Sequence, residues 1–419
     1  MRVTYRDVWT QSGRQTSCPG GEPHTTLEPD CTGPPHTTLE PDCTGVKFSL
    51  IYEAQTADPT RAGDHAVFQQ ILEQALLAEE LGFDTIWAVE HTALTMYAHM
   101  SAPETFLAYL AGATSRIGIG HGVICLPPAM NHPVKVAERC ATLDILSGGR
   151  LHVGFGKGGT EQEAGTFGYE RSELGPMVDE AMQLIPRFWV EDVVEHHGQF
   201  IDVPPRPVHP KPLQEPHPPL YQACTRTETL VDAGARGIGA LVLGFGGPEQ
   251  IAEKNAVYRA AFATRDEAAQ VGQRPTEHLA ALCPAIVLDD GDAARRIGIR
   301  GQRFFLESIG HWASSGATPL PDPGSWGDEN LVEIGDAEVI EASVGSERVT
   351  LDLADPAMAL RNPNHAYGTV DDCIAYVTRL AEAGADEILF LCQMGTVPQW
   401  AQVDTLRNIG THVIPHFRR

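Results

Sequence analysis

The stretch Asp84-Thr85-Ile86-Trp87-Ala88-Val89-Glu90-His91 decides the fold. It is a short apolar run, entered from a Gly82-Phe83 turn, that stops abruptly at an acid and an imidazole. Such runs read as parallel strands, which are apolar on both sides because helices cover both faces of the sheet. In a barrel or an open α/β sheet, ligands meet the carboxyl ends of the strands. Glu90 and His91 stand at such an end, either as a structural pair closing the strand or as part of a site.

Working outward, the same alternation recurs along the chain. Val46–Tyr52 reads as a first strand. A helix follows from about Ala66, with Phe68, Leu72, Ala75 and Leu76 on one face, and stops at Gly82. After the Asp84–Val89 strand come a helix near Pro103–Ala113, strand Ile117–Ile124, helix Val134–Leu146, strand Leu151–Gly156 and a helix from about Arg171 to Val190. A hairpin around Val193–Val203 turns at Gly198 and leads into the proline-rich connection Pro204–Pro219.

Strands Leu220–Cys224, Ala240–Leu243 and Leu279–Leu288 follow, with helices at Arg226–Ala235, Pro248–Thr264 and Asp292–Ser308. Pro284 lacks an N–H, so it must occupy an edge, a bulge or a non-bonded position. Thr369 and Asp372 have capping spacing for a helix that ends at Gly384. Glu387–Cys392 is the eighth strand and Val403–Val413 the last helix. Eight strands alternating with eight helices predict an α/β fold, a (β/α)8 TIM barrel spanning 46–419. The stretch from about Gly310 to Tyr367 loses the pattern and is too long for an idle loop, so an insertion or lid is expected between strands seven and eight.

Residues 1–45 are different. Pro23 through Gly33 is repeated residue for residue as Pro35 through Gly45. This polar, proline-rich segment has too little apolar surface to offset its ordering entropy, and is expected to be a disordered extension preceding a domain that starts at Val46. Elsewhere composition mainly excludes. In 419 residues, 30 Lys+Arg against 55 Asp+Glu give a net charge of −25, which argues against nucleic acid as a partner. No apolar run approaches the ~20 residues of a membrane span. Nine cysteines without a CxxC pair suit a reduced, cytoplasmic setting.

Only the strand ends and the loops after them need be searched for chemistry. The first strand ends at Tyr52-Glu53 and lacks an HxH pair; three metal ligands cannot be gathered from the other ends, so no metal is expected. Glu195-His196-His197 falls in the hairpin, away from every strand end. The fourth strand ends Gly154-Phe155-Gly156-Lys157-Gly158-Gly159. It matches the dinucleotide pattern of glycines, but Thr160–Gly168 reads as loop where that pattern requires a helix. Two readings remain: bare backbone at Gly156 and Gly158 admits a flat or anionic ligand beside Lys157, or the glycines merely relieve crowding. The fifth strand ends at Cys224, and Thr225-Arg226-Thr227-Glu228-Thr229 opens a helix with capping spacing between Thr225 and Glu228. Either this is an ordinary well-capped helix with Arg226 in solvent, or its N–H groups, dipole and guanidinium hold an anion that Lys157 on the neighbouring strand end could also reach. Tyr52, Glu53, Trp87 and Tyr97 are candidates to line a substrate pocket.

With these pieces in place, the chain resembles the bacterial luciferase-like flavin-dependent monooxygenases. The resemblance is carried in order by Ile86–His91, Ile117–Gly122, His132-Pro133-Val134 with Ala137-Glu138, Leu143-Asp144 through Leu151, Gly154–Gly158 with Phe167-Gly168, His217–Tyr221, Gln393-Met394-Gly395 and Val413–Phe417. It implies a barrel that binds reduced FMN at its carboxyl end, with His91 the catalytic histidine and Glu90 the acid beside it. It further implies a cofactor-binding set of Gly156, Lys157, Gly158, Cys224, Thr225, Arg226 and Thr229, with the phosphate at Lys157, Arg226 and Thr229. A transient flavin reductase, dioxygen, a small organic substrate and a homodimer come with it. A deazaflavin coenzyme used for hydride transfer, and a non-catalytic flavin-binding partner, are the alternatives. Thr92 stands where many members carry a second histidine, and Gly156 where luciferases carry a reactive cysteine, which sets light emission and long-chain aldehydes apart from the expectation.

Overall fold

The computed structural model describes residues 45–326 and 364–418, and the backbone of two strands, 339–344 and 347–352, between them. The repeat and the expected start at Val46 concern a segment that lies almost wholly outside the described residues.

The barrel strands are β1 (Lys47–Tyr52), β2 (Thr85–Ala88), β3 (Gly118–Cys125), β4 (Leu151–Gly156), then β7 (Leu220–Cys224), β8 (Gly239–Val242), β9 (Leu279–Val287) and β13 (Glu387–Leu391). All pair in parallel in this order, and β13 pairs with β1 to close the ring. Eight parallel strands with helices between them form the expected (β/α)8 barrel. Its connecting helices include α1 (Arg61–Leu81), α2 (Pro103–Ala113), α3 (Pro133–Ser147), α4 (Glu161–Thr166), α5 (Leu174–Val190), α6 (Thr227–Ala235), α7 (Gly247–Ala263) and α8 (Gly291–Ala313). Strands β5 (Val194–His197) and β6 (Asp202–Arg206) make the expected hairpin.

Several boundaries move, for physical reasons. The first helix starts five residues earlier than expected, because Thr60 Oγ1 caps it by accepting from Gly63 N. Its buried face is Val67, Ile71, Ala75 and Ala78, so Phe68, Leu72 and Leu76 lie at the margin of the core. Pro284 falls where β9 stops pairing with β13 and begins pairing with β12 (Ala366–Gly368), a junction that tolerates a missing N–H.

Beyond α8, the insertion contains an antiparallel pair, β10 (Val339–Val344) with β11 (Glu347–Asp352). The rest of its core, 327–338 and 353–363, lies outside the described residues. Thr369 caps α9 (Val370–Glu382) with the expected box to Asp372. The last helix begins at Gln399 as α10 (Gln399–Asn408) and continues through a π turn, Ile409–Val413, into α11 (Ile414–Phe417).

Strand parity sorts the barrel into an outside and an inside. Phe48, Leu50 and Tyr52 of β1 face the helix layer, where Phe48 stacks on Phe390 of β13 and packs on Phe417 of α11. Inside, Trp87 reaches across the floor of the barrel. Its ring meets Tyr221 of β7 and His152 of β4, and its Nε1 donates to Glu387 at the start of β13, 2.8 Å away.

Candidate active site

His91 lies three residues past β2, and its backbone N–H donates to Met100 O across the following loop. Parity carries it inward with Trp87 and Val89. Its Nδ1 is 2.8 Å from Glu163 Oε1, and its Nε2 is 3.7 Å from Glu53 Oε2. The ring of Tyr97 packs edge-on against it, centroids 5.3 Å apart.

Glu163 is fixed by the run that follows β4. It is the third residue of α4, in a capping box with Thr160, and its Oε2 accepts from Gly159 N, Thr160 N and Thr160 Oγ1 at 2.8–2.9 Å. Those bonds and His91 outweigh burial and hold its carboxyl below the usual range. A carboxylate only accepts, so His91 Nδ1 is the donor between them. Burial pulls the His91 imidazole down, but Glu163, then Glu53 and Glu90, outweigh it and raise it to about 9. Burial lifts the Glu53 carboxyl to about 7, with His91 opposing and Glu163 reinforcing.

The glycine-rich run is therefore not loop throughout. Thr160–Gly168 contains a six-residue helix, too short to show periodicity, whose visible sign was the Thr160-x-x-Glu163 spacing. A Cβ on Gly156 would come within 2.4 Å of Val123 Cγ2, so this glycine relieves crowding at the barrel end. Gly158 takes a left-handed φ of 83°, which bends the run over Glu163.

Glu90 is placed otherwise than expected. Parity turns it outward, toward α2 and α3, where its oxygens accept from Cys125 N and Asn131 Nδ2, each at 2.8 Å. The acids that flank His91 are Glu163 and Glu53. Tyr52 also faces the helix layer, its hydroxyl buried and unpartnered among the described residues, and so does not line a pocket. Trp87 is fully buried in the floor and is likewise withdrawn as a substrate contact. Glu53 and Tyr97 remain at the mouth.

In the same run after β4, burial lowers the Lys157 ammonium below its ordinary value, and the charges of Arg226 and Arg171 press it the same way. Lys157 thus lies within electrostatic reach of Arg226 and Arg171, with the Asp179 carboxylate acting against them. Arg171, at the 3-10 turn before α5, was not anticipated, since no motif surrounds it; its Nε is buried without a hydrogen-bond partner among the described residues. A cation cluster with an orphaned guanidinium N–H fits a phosphate. The capping differs from expectation: α6 begins at Thr227, and Thr229 Oγ1 accepts from Arg226 N and donates to Arg226 O, so that its hydroxyl is engaged in the cap. Thr225 precedes this cap. Cys224 points outward, its Sγ donating to Thr229 O, and burial pushes its thiol up to about 12; the side chain is turned away from the mouth. Among the described residues no cluster of His, Cys, Asp and Glu could hold a metal ion, and no helix is long and apolar enough to cross a membrane.

A closed parallel barrel with an imidazole held between two carboxylates at its carboxyl-end mouth is a (β/α)8 TIM barrel. More particularly, the chain belongs to the luciferase-like monooxygenase family, whose family model matches residues 47–387. Among its relatives, the oxygenase component of the flavin-dependent trigonelline monooxygenase of Acinetobacter baylyi is 31% identical over 187 residues, covering 42% of this chain and 49% of that protein. The chain spans about half the length of the curated relatives it matches. The crystal structure of monooxygenase RslO1 from Streptomyces bottropensis superposes with a TM-score of 0.71 at 25% identity, covering 89% of this chain and 100% of that one. The fold is shared also with the oxygenating constituent of 3,6-diketocamphane monooxygenase from Pseudomonas putida, solved with FMN (TM-score 0.62, 18% identity, 88% of this chain and 98% of that one), and with an F420-dependent secondary alcohol dehydrogenase (0.61, 19%, 89% and 99%).

Proposed function

We propose that this chain is the oxygenase of a two-component flavin-dependent monooxygenase, which uses reduced FMN and dioxygen to oxygenate a small organic substrate. The observation that carries the reading is the pairing, on one barrel mouth, of the clamped His91 with the cation cluster of Lys157, Arg171 and Arg226. FMN, when bound, supplies the activation of dioxygen that no side chain provides. Lys157, Arg171 and Arg226 would hold its phosphate. His91 holds a proton at Nε2, directed at the mouth, while Glu163 fixes the ring through Nδ1. Tyr97 packs edge-on against the imidazole and covers part of it.

A separate reductase supplies the reduced flavin in this reading, as the name of the Acinetobacter relative, an oxygenase component, supports. A homodimer is part of it too: Tyr109 on α2 and Leu146 on α3 leave apolar side chains 63% and 62% exposed on adjacent helices. A cytoplasmic site is consistent with the described cysteines, all buried and unpaired. Oxygen uptake tests the reading: adding reduced FMN, with a substrate panel, should give substrate-dependent oxygen consumption. Binding of reduced deazaflavin, with substrate oxidation that consumes no oxygen, would replace it with hydride transfer.

A further inference from the structure

The two carboxylates on His91 are unlike. Glu163 Oε2 accepts three donors from its own loop while Oε1 takes His91 Nδ1. Glu53 Oε2, by contrast, is buried with no hydrogen-bond partner among the described residues. An orphaned buried acceptor is costly, and such groups mark places where something arrives or moves. What lies nearest in charge is His91 Nε2 at 3.7 Å, less than an ångström beyond hydrogen-bond range. Glu53 directly follows β1, where Met100 N donates to its carbonyl and Ala54 after it adopts a left-handed φ of 53°.

We infer that Glu53 is the proton-exchange partner of His91, returning a proton to Nε2 after the imidazole has given one up at the reacting centre. This rests on the proposed reading of His91 as the working imidazole. The step balances simply. The O–H bond of the Glu53 carboxylic acid breaks, the Nε2 lone pair takes the proton, and a carboxylate and an imidazolium remain. Glu163, already a carboxylate on Nδ1, stabilises the imidazolium that forms. Glu53 acts through His91 and is therefore a positioning and relay residue.

The charged surroundings agree. The titratable groups facing the pair are Glu163 from α4 and Tyr97 from the loop after β2, while Glu90, turned outward behind β2, adds a weaker charge. With Glu53 raised to about 7 and His91 to about 9, it is Glu53 whose charge changes near neutrality.

Nitrogen-15 NMR of His91 in the flavin-free protein, followed through neutral to alkaline pH, tests the relay without turnover. In the wild type the Nε2 shift should move in two steps, the lower one reporting Glu53. Glu53→Gln should remove the lower step and keep the upper one. An unchanged curve in Glu53→Gln overturns the inference. Should that variant fail to fold, Glu53→Asp decides: withdrawing the carboxylate by one methylene must move the lower step, and an unmoved step overturns the inference. In turnover, the wild-type rate should fall by about tenfold per pH unit above the Glu53 titration, and Glu53→Gln should lose that limb. The two readings fail separately. Two NMR steps without flavin-dependent turnover would sink the proposed function and leave the relay standing. Turnover whose alkaline limb survives in Glu53→Gln would sink the relay alone.

Discussion

The barrel holds two glutamate–histidine pairs, one at each end, and they are built differently. On the floor, Glu387 accepts from Trp87 Nε1 at 2.8 Å and meets His278 Nε2 at 2.7 Å, with its carboxylate almost wholly buried. At the mouth, His91 sits between Glu163 at 2.8 Å and an unpartnered Glu53 oxygen at 3.7 Å, with the ring partly open to solvent. The floor pair has its acceptors filled. A pair with one acceptor left over can move a proton. In the proposed reading this difference separates a stabilising floor from a reactive mouth within a single barrel.

Substitutions can break that division. The largest effect is expected at the mouth, where His91→Ala should lower substrate oxygenation by about 10²- to 10⁴-fold while leaving the folded protein and its FMN affinity nearly intact. Steady-state oxygenation beside a flavin-binding titration checks both halves.

The floor should behave oppositely. Glu387→Ala leaves His278 and Trp87 Nε1 without their acceptor and should cost about 3–5 kcal/mol in urea unfolding. Burial alone would raise the Glu387 carboxyl, but its bonds from His278 and Trp87 help hold it down to about 2. Because the folded value lies below the ordinary one, its stabilisation is complete above the usual carboxylate range and fades as pH falls toward 2. Unfolding midpoints measured down an acid series should therefore converge for wild type and Glu387→Gln.

A smaller effect is expected at the rim, where Lys157→Ala should weaken reduced FMN by about tenfold without changing stability, as measured by anaerobic fluorescence titration. The smallest is Tyr52→Phe. Removing an orphaned hydroxyl on the helix side should leave stability within about 0.5 kcal/mol and the substrate KM unchanged. A raised KM would return Tyr52 to the pocket.

How much of this was legible in the sequence follows from which signals survive in one dimension. The eight apolar strands and their order were readable because parallel strands are apolar on both faces. His91 was readable because it ends such a run. Its neighbour was misplaced for want of parity: Trp87, Val89 and His91 alternate inward, which turns Glu90 outward, and two-residue periodicity alone contained that fact. Trp87 shares the inward face with His91 but lies four residues earlier, roughly 13 Å down the strand, and so belongs to the floor. Glu163 was hidden in a helix too short for periodicity, with only its capping spacing to give it away. Arg171 carried no motif at all; its neighbours Lys157 and Arg226 come from distant strand ends, and only the closed barrel brings them together.

The central claim is that the mouth is the flavin site and that His91 acts there without holding the flavin. Anaerobic titration of reduced FMN into wild type, Lys157→Ala and His91→Ala tests this most directly. It predicts one equivalent bound by the wild type, nearly unchanged affinity in His91→Ala, and about tenfold weaker binding in Lys157→Ala. No binding by the wild type, or equal affinity in wild type and Lys157→Ala, would contradict it.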